Sequence, residues 1–412
     1  MHVELHPSLC ESLIAREAAE ALEACVHCGF CLATCPTYLD SRDERDSPRG
    51  RLYLIRELLE EGEAAPVAQH HLDRCLSCRS CETTCPSGVR YAEIADAGRE
   101  LLEARVPRPL SQRLLRRGLR LIVPQRRRFA LALGLAQALR PLLPSKLALA
   151  VPPRQRIRPE RRENAATSEA SGRRVLLLEG CVQASATPNT NRALRNILKR
   201  LGVDVIESPA QGCCGALNTH LAASEDGRAD MRRNIDAWWP ALERGVDAIL
   251  VSATGCGAQV KDYGRALCHD TAYASRAAEV AMKARDPVEY LMAFALKDLP
   301  RSAATLPRVA VQTPCTQQHA LGLGDGVSRV LESLGYPLCK VRDGHLCCGS
   351  AGSYSILQPA MSNRLRARKL ASLCADDPDM LATANIGCQM HLQAATTRPV
   401  KHWLELVDDA LA

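Results

Sequence analysis

The sequence predicts a multidomain α+β protein, and three observations on its 412 residues carry that reading. A cysteine run near the N-terminus occurs twice. A longer cysteine pattern repeats across the C-terminal half with an offset of 134 residues. Within that repeat, short apolar runs alternate with helix-like stretches, the pattern of βαβ units. The parts are an α-helical two-cluster ferredoxin-type domain over 1–104, a basic connector over 105–173, and two duplicated α/β units over 174–300 and 301–412. The length alone implies two to four domains.

Hydrophobic residues at 46% and charged residues at 24% are ordinary for a soluble globular chain and exclude a disordered, collagenous or fibrous one. The unusual figure is 20 cysteines, against 3 Trp, 8 Tyr and 3 Phe. A chain of this size does not need disulfides to supplement a small core. Its opening, MHVELHPSLCESLIARE, shows no apolar signal stretch. The expectation is therefore a reducing, cytoplasmic setting in which the thiols serve as metal ligands. No segment reaches the roughly 20 apolar residues needed to span a bilayer.

The N-terminal domain is justified first. Cys25, Cys28, Cys31 and Cys35 form one run and Cys75, Cys78, Cys81 and Cys85 another, each with C-x2-C-x2-C-x3-C-P spacing. This spacing is the bacterial run for a [4Fe–4S] cluster, present twice. The first three thiols are close enough to face one cluster, whereas the fourth, followed by Pro36 or Pro86, leaves for the other. The sets are therefore crossed: Cys25, Cys28, Cys31 and Cys85 for cluster 1, and Cys75, Cys78, Cys81 and Cys35 for cluster 2. Structural zinc would use two separated pairs instead. His27, inside the first run, reads as a residue that tunes hydrogen bonding there. Between the runs, Arg51 to Leu59 carries apolar residues at helical intervals and stops at Gly62; a second helix is predicted from Ala92 to Ala104.

The duplicated units come next. The first runs from Val175–Leu178 through Cys181, Cys213-Cys214-Gly215 and Ile249–Val251 to Cys256. The second runs from Val309–Val311 through Cys315 and Cys347-Cys348-Gly349 to Cys388. Cys181 to Cys213 and Cys315 to Cys347 both span 32 positions. In βαβ folds, functional residues sit in loops at the carboxyl ends of strands, so each quartet can converge there. Neighbouring cysteines cannot readily bridge each other. Two of them beside a glycine, with two distant partners, make a candidate site for one or two further iron–sulfur clusters. The units differ three residues after the last cysteine, where the first has Gln259 and the second His391. Imidazole ligates iron and an amide is a poor substitute, so the second unit is the better candidate, with His391 itself expected to be a neighbour. Cys10, Cys268, Cys339 and Cys374 fit no pattern and read as ordinary thiols.

The connector accounts for the net charge of +7: 105–162 holds 16 Lys or Arg residues and a single acid, Glu160. On a helix, Leu110, Leu114, Leu115, Leu119, Leu121 and Ile122 occupy one half and Arg113, Arg116, Arg117 and Arg120 the other. Such a helix suits an anionic membrane surface or an acidic partner, or packs as an ordinary surface helix. With one aromatic residue, Phe129, near these arginines and no binding motif, nucleic acid is not the expected partner. Pro152 to Arg173 reads as a mobile linker.

The segments CVHCGFCLATCPTYLDSRDERDSPRGRLYLIRELLEEG and HLDRCLSCRSCETTCPSGVRYAEIADAGRELLE, with both CCG units, resemble the iron–sulfur subunits of bacterial glycolate oxidase (glycolate dehydrogenase). The tandem CCG arrangement is also similar to subunits of heterodisulfide reductases, anaerobic glycerol-3-phosphate dehydrogenase and lactate utilisation systems. In some of those relatives a CxxC closes each CCG unit, whereas this chain has Gln259 and His391 at that second position. The resemblance implies an electron-transfer subunit in a complex oxidising glycolate to glyoxylate. Partner flavoprotein subunits would take electrons from the substrate and this chain would pass them to a membrane acceptor such as a quinone. The expected location is the cytoplasm, peripheral to the cytoplasmic face of the inner membrane. No complete flavin fingerprint occurs in the chain, so the resemblance places no catalytic residue here. The alternative reading is a heterodisulfide-reductase-like CCG subunit, or the iron–sulfur subunit of a lactate or glycerol-3-phosphate dehydrogenase complex.

Overall fold

The computed structural model describes residues 2–63, 65–144, 148–149, 151–157, 172–294, 299 and 305–411. Most of the expected linker (158–171) and the expected unit boundary at 300/301 lie outside the described residues.

The N-terminal module is a helical cluster of α1 (Leu13–Glu23), α2 (Pro48–Glu61), α3 (Pro66–Asp73) and α4 (Tyr91–Arg105). The local signals are those of helix chemistry. Ser47 Oγ accepts the Gly50 N–H at 2.9 Å, Pro48 opens α2, and Gly62 closes it at φ 70°. Leu22, Ile55, Leu59, Leu72, Ile94 and Leu102 form the shared core. Gly98 permits the close approach of α4, since a Cβ there would lie 2.8 Å from Ile55 and 2.9 Å from Leu72. Within each cysteine run lies a helix of only five residues, Phe30–Thr34 or Ser80–Thr84, ending just before the fourth cysteine.

Among its described residues the connector's two long helices are α5 (Leu110–Ile122) and α6 (Arg126–Leu139). Here the structure sharpens the amphipathic expectation and reverses its sense. Arg116 is buried and its Nη2 donates to Asp73 Oδ1 at 3.0 Å; Arg120 pairs with Asp226 and Arg126 with Glu179 at 3.1 Å. The arginine edge therefore fastens the connector to the molecule, and Leu110, Leu114, Leu115, Leu121 and Ile122 are exposed. A helix docks by whichever edge finds complementary partners, and Asp73, Asp226 and Glu179 supply them.

The C-terminal half contains two all-parallel sheets. The first, β1 (Arg174–Leu178), β2 (Asp204–Ile206), β3 (Ala248–Val251) and β4 (Ala284–Arg285), has the order β2-β1-β3-β4. The second, β5 (Val309–Gln312), β6 (Met380–Thr383) and β7 (Val400–His402), has the order β5-β6-β7. The counterpart of β2 in the second unit is reduced to one parallel bridge, Val309 to Leu338. Strands β1 and β3 are buried almost throughout, as expected of parallel strands covered on both faces. The two units share one core. Leu194 and Leu198 of the helix Pro188–Arg200 join Trp403, Leu404 and Val407 of the C-terminal helix Trp403–Ala410, which packs against it.

His402 joins the two units: its Nε2–H donates to the Ser252 carbonyl at 3.0 Å while Nδ1 accepts from the Leu404 N–H at 3.3 Å. Burial pulls its pKa down to about 4, so the ring is neutral in the fold. Unfolding returns it to its ordinary value of 6.5. Its contribution to stability is therefore complete above that value and is lost as the pH falls toward about 4. Urea unfolding midpoints measured on lowering the pH across this range are expected to drop more steeply for the wild type than for His402→Gln, which does not titrate.

Candidate functional site

The two N-terminal runs adopt the same backbone device. Non-glycine His27 and Ser77 have φ of 56° and 51°, and two residues later Gly29 and Arg79 have φ of 81° and 58°. Left-handed residues at both places in each run curl the chain so that three sulfurs face inward. Non-glycine residues tolerate that region only where the surroundings hold them. Arg79, for one, is held by its ion pair with Asp262 in the first α/β unit.

Around these loops lie two cavities, each lined by cysteines of both runs. One, of ≈ 310 Å³, is lined by Cys75, Cys78 and Cys81 together with Cys35. The other, of ≈ 440 Å³, is lined by Cys25, Cys28 and Cys31 together with Cys85, with Cys81 at its edge. Pro48, Tyr91 and Cys81 border both, so the cavities are neighbours. All twenty cysteines are free thiols. Four thiols around each space, two of them buried in the set with Cys35 and all partly or fully exposed in the set with Cys85, are the donor chemistry that a [4Fe–4S] cluster requires, and the residues fit that group.

Positive charge is built in beside the second set. Arg51 is 1% exposed; its Nε donates to the His71 carbonyl at 2.8 Å and its Nη2 to Thr37 Oγ1 at 3.1 Å. Arg99, also buried, donates to the carbonyls of Leu72 and Cys75 and to Ser77 Oγ. Burial pushes the Cys75 thiol up, but Arg51, Arg99, the Ser77 N–H at 3.4 Å and the Tyr91 hydroxyl outweigh it and hold the group below its ordinary value. Burial raises Cys78 and Cys81 well above theirs and Cys31 to about 11. Behind Arg51 stands Asp46, fully buried, with His71 Nδ1 at 2.8 Å and Arg74 Nη1 at 2.7 Å. His27 stacks on Tyr53 with ring centroids 4.6 Å apart, beside the first set.

The arginines and Tyr91 were not among the residues singled out from the sequence, yet a signal exists. On α2 the buried positions 48, 51, 52, 55, 58 and 59 follow helical spacing, and Arg51 falls among them. Arg99 occupies the same kind of place on α4, with Tyr91, Ile94, Ala95 and Leu102. A charge on an apolar face calls for a buried partner.

Both quartets in the α/β units converge. Cys181 and Cys213 sulfurs are 3.7 Å apart, Cys315 and Cys347 are 3.9 Å apart, and Cys348 and Cys388 are 3.2 Å apart. Cys214 shares a side-chain hydrogen bond with Cys256. Hydrogen bonds from Cys181 and Cys214 hold Cys213 well below its ordinary value, while the same contacts push Cys181 and Cys214 up. The adjacent cysteines reach different distant partners, which is why they do not bridge one another. The following glycine supplies shape and not flexibility. Gly215 and Gly349 have φ of 91° and 86°, and a Cβ would meet the Gly227 carbonyl at 2.8 Å or that of Ser362 at 2.6 Å.

Gln259 is buried, and His391 Nε2 lies 3.2 Å from Ser362 Oγ, which donates to the Gly349 carbonyl at 2.7 Å; burial lowers His391 to about 4. A clearer asymmetry lies elsewhere. Asn234 donates to the Cys213 carbonyl at 2.8 Å in the first unit. The corresponding place in the second is taken by buried Lys369, which donates to the Gly344 carbonyl at 2.8 Å and faces Cys347 and Cys348. The second quartet also touches the N-terminal module: Cys347, Leu76, Tyr354 and Leu365 form one apolar cluster against which Cys78 and Cys315 pack. Thr83 Oγ1 and His319 Nδ1, 2.9 Å apart, and Arg364 and Asp40, 2.6 Å apart, close the same junction.

These features define an iron–sulfur oxidoreductase component with a dicluster module and paired cysteine-rich domains. Comparison with known proteins agrees. The family described as 4Fe-4S dicluster domain matches residues 21–89, and that described as cysteine-rich domain matches 175–261 and 309–393. The glycolate oxidase iron–sulfur subunit of Escherichia coli K12 is 47% identical over 414 aligned residues, covering 100% of this chain and 99% of the relative. A probable glycolate oxidase iron–sulfur subunit of Bacillus subtilis is 29% identical over 91% of this chain and 89% of its own length. Lactate utilization protein A of Geobacillus thermodenitrificans is 25% identical over 53% of this chain and 90% of its own length. The chain belongs to the family of glycolate oxidase iron–sulfur subunits.

The crossing yields a spectroscopic prediction. Cys35→Ser is expected to alter the same EPR signal as Cys78→Ser, and Cys85→Ser the same one as Cys28→Ser, with about four irons lost per chain in each case. Signals grouped by run, Cys35 with Cys28, would contradict the assignment.

Proposed function

We propose that this chain relays electrons singly within a complex that oxidises glycolate to glyoxylate. Flavoprotein subunits of that complex take the electron pair from the substrate, and a quinone or other membrane acceptor receives the electrons. The observation that carries this reading is the contiguity of the sulfur sets. The set with Cys25, Cys28, Cys31 and Cys85 shares Tyr91 and Cys81 with the set of Cys75, Cys78, Cys81 and Cys35, and Cys78 packs with Cys315 and Cys347 of the next. Its relatives' names support the substrate.

Iron–sulfur clusters, when bound, exchange one electron at a time at potentials set by charge, hydrogen bonding and burial. The chain's own groups supply those influences. Arg51 and Arg99 place positive charge beside Cys75, and the N–H groups of Ser77 and Gly349 point at Cys75 and Cys347 sulfurs at 3.4 Å each. Each favours negative charge on sulfur and so eases reduction. Leu76, Tyr354 and Leu365 keep water from the junction between Cys78 and Cys347. Cys181, Cys213, Cys214 and Cys256 form the corresponding candidate ligand set in the first unit, and Cys315, Cys347, Cys348 and Cys388 that in the second. Basic segment 105–162 is the proposed contact with the cytoplasmic face of the inner membrane.

The isolated chain, purified without oxygen and loaded with iron, is expected to show no glycolate-dependent dye reduction, and to support it once the flavoprotein subunits are added. Offering lactate alongside glycolate tests the substrate. Turnover by the pure chain without flavin, or equal acceptor reduction by the flavoproteins without this chain, would overturn the proposal. Cys347→Ser is expected to cut acceptor reduction at least tenfold while sparing the two N-terminal EPR signals, because it removes a donor at the junction.

A further inference from the structure

A soluble surface helix turns its apolar side inward and its charged side to water. Helix α5 does the opposite. Leu110, Leu114, Leu115, Leu121 and Ile122 fall within an arc of about 140° on the helix, at about 100° per residue, and all five are exposed. Arg116, buried against Asp73, lies opposite the middle of that arc. On α6, Leu131, Leu135 and Leu139 recur at every fourth position and are exposed as well, at 76%, 63% and 43%. Arg113, Arg117 and Arg127 flank the two arcs and are exposed. The connector is thus held to the body by some of its arginines while its leucines face outward among the described residues. An apolar surface of this kind marks an interaction site.

Three observations select the occupant. Residues 105–144 contain no Asp or Glu, so the surface is electrostatically suited to anions. The apolar side chains of these residues are mostly leucine and alanine, with Phe129 the one aromatic, the aliphatic kind that sits among acyl chains. The helices, 13 and 14 residues long, are each about 20 Å and cannot cross a bilayer, but lying flat they match an interfacial helix with leucine on one side and arginine beside it. We propose that α5 and α6 lie in the plane of an anionic membrane surface, with their outward leucines among the acyl chains and Arg113, Arg117 and Arg127 against lipid phosphates. The proposal rests on the membrane-acceptor reading above and replaces a purely electrostatic contact with an apolar one, the arginines on the opposite edge serving as the fastening to Asp73, Asp226 and Glu179.

The test is sedimentation of the full iron-loaded chain with phosphatidylglycerol vesicles and, separately, phosphatidylcholine vesicles. Binding is expected to the anionic vesicles, to weaken with salt, and to drop about tenfold or more in Leu114→Gln/Leu121→Gln/Leu135→Gln. Arg113→Gln/Arg117→Gln should weaken binding several-fold at low salt and less at high salt. Iron content and visible spectrum should match wild type in both variants, which separates lost contact from lost folding. The proposal is overturned if the wild-type chain stays in the supernatant with anionic vesicles, or if the leucine variant sediments as well as wild type. It is overturned likewise if that variant loses only its flavoprotein partner, since the face would then be a protein interface. Electron transfer from the flavoprotein to a soluble dye, measured in parallel, should be unchanged in the leucine variant. Its absence in the wild type would sink the relay reading separately from the lipid contact.

Discussion

The N-terminal module depends on two sulfurs that leave the loops they belong to. Cys35 and Cys85 each end one run and line the cavity of the other. That exchange forces the two loops face to face, and the helices between them must then be short of bulk and rich in charge. Gly98 lets α4 close on Ile55 and Leu72, and Arg51 crosses the interior to reach His71 and Thr37. Asp46, itself fully buried, keeps Arg51 in place through a network with His71 and Arg74. A buried guanidinium is costly alone, but beside sulfur ligands that carry negative charge it offsets a charge that would otherwise be costlier still.

The same logic governs the α/β half with different parts. Parallel strands end together at one edge, and the loops there bring Cys181, Cys213, Cys214 and Cys256, or Cys315, Cys347, Cys348 and Cys388, to one place. A left-handed glycine after each cysteine pair lets a long helix, Ser224–Glu243 or Pro359–Leu373, approach closely. Duplication has not kept the halves equal. Among the described residues, the second quartet alone shares an apolar cluster with the N-terminal module, and it has a buried lysine, Lys369, where the first has Asn234. Because the two units share a core through Leu194, Leu198 and Trp403, their positions relative to the sulfur sets are held by packing and not by a tether.

Much of the architecture was legible because its signals are local. Spacing alone identified both runs, the apolar intervals from Arg51 to Leu59 with Gly62 announced α2, and the 134-residue offset announced the duplicated units. The connector shows where such reading stops. Its amphipathic character was plain, but an amphipathic helix does not declare which side it turns inward. The choice fell to Asp73, Asp226 and Glu179, which are distant in sequence and close in space.

Sequence by itself determined the repeated motifs: two cysteine runs of ferredoxin-type spacing, the helix and strand signals beside them, and a C-terminal half that is one unit written twice. These follow from short-range rules, namely ligand spacing, capping, periodicity and repetition, which act over a few residues or a constant offset. Tertiary structure decided order and orientation: which quartet lies against Cys78, which arginines are buried beside sulfur, and which side of α5 faces outward. Those outcomes depend on electrostatic and packing contacts between segments far apart in the chain, and such contacts exist only once the chain has folded.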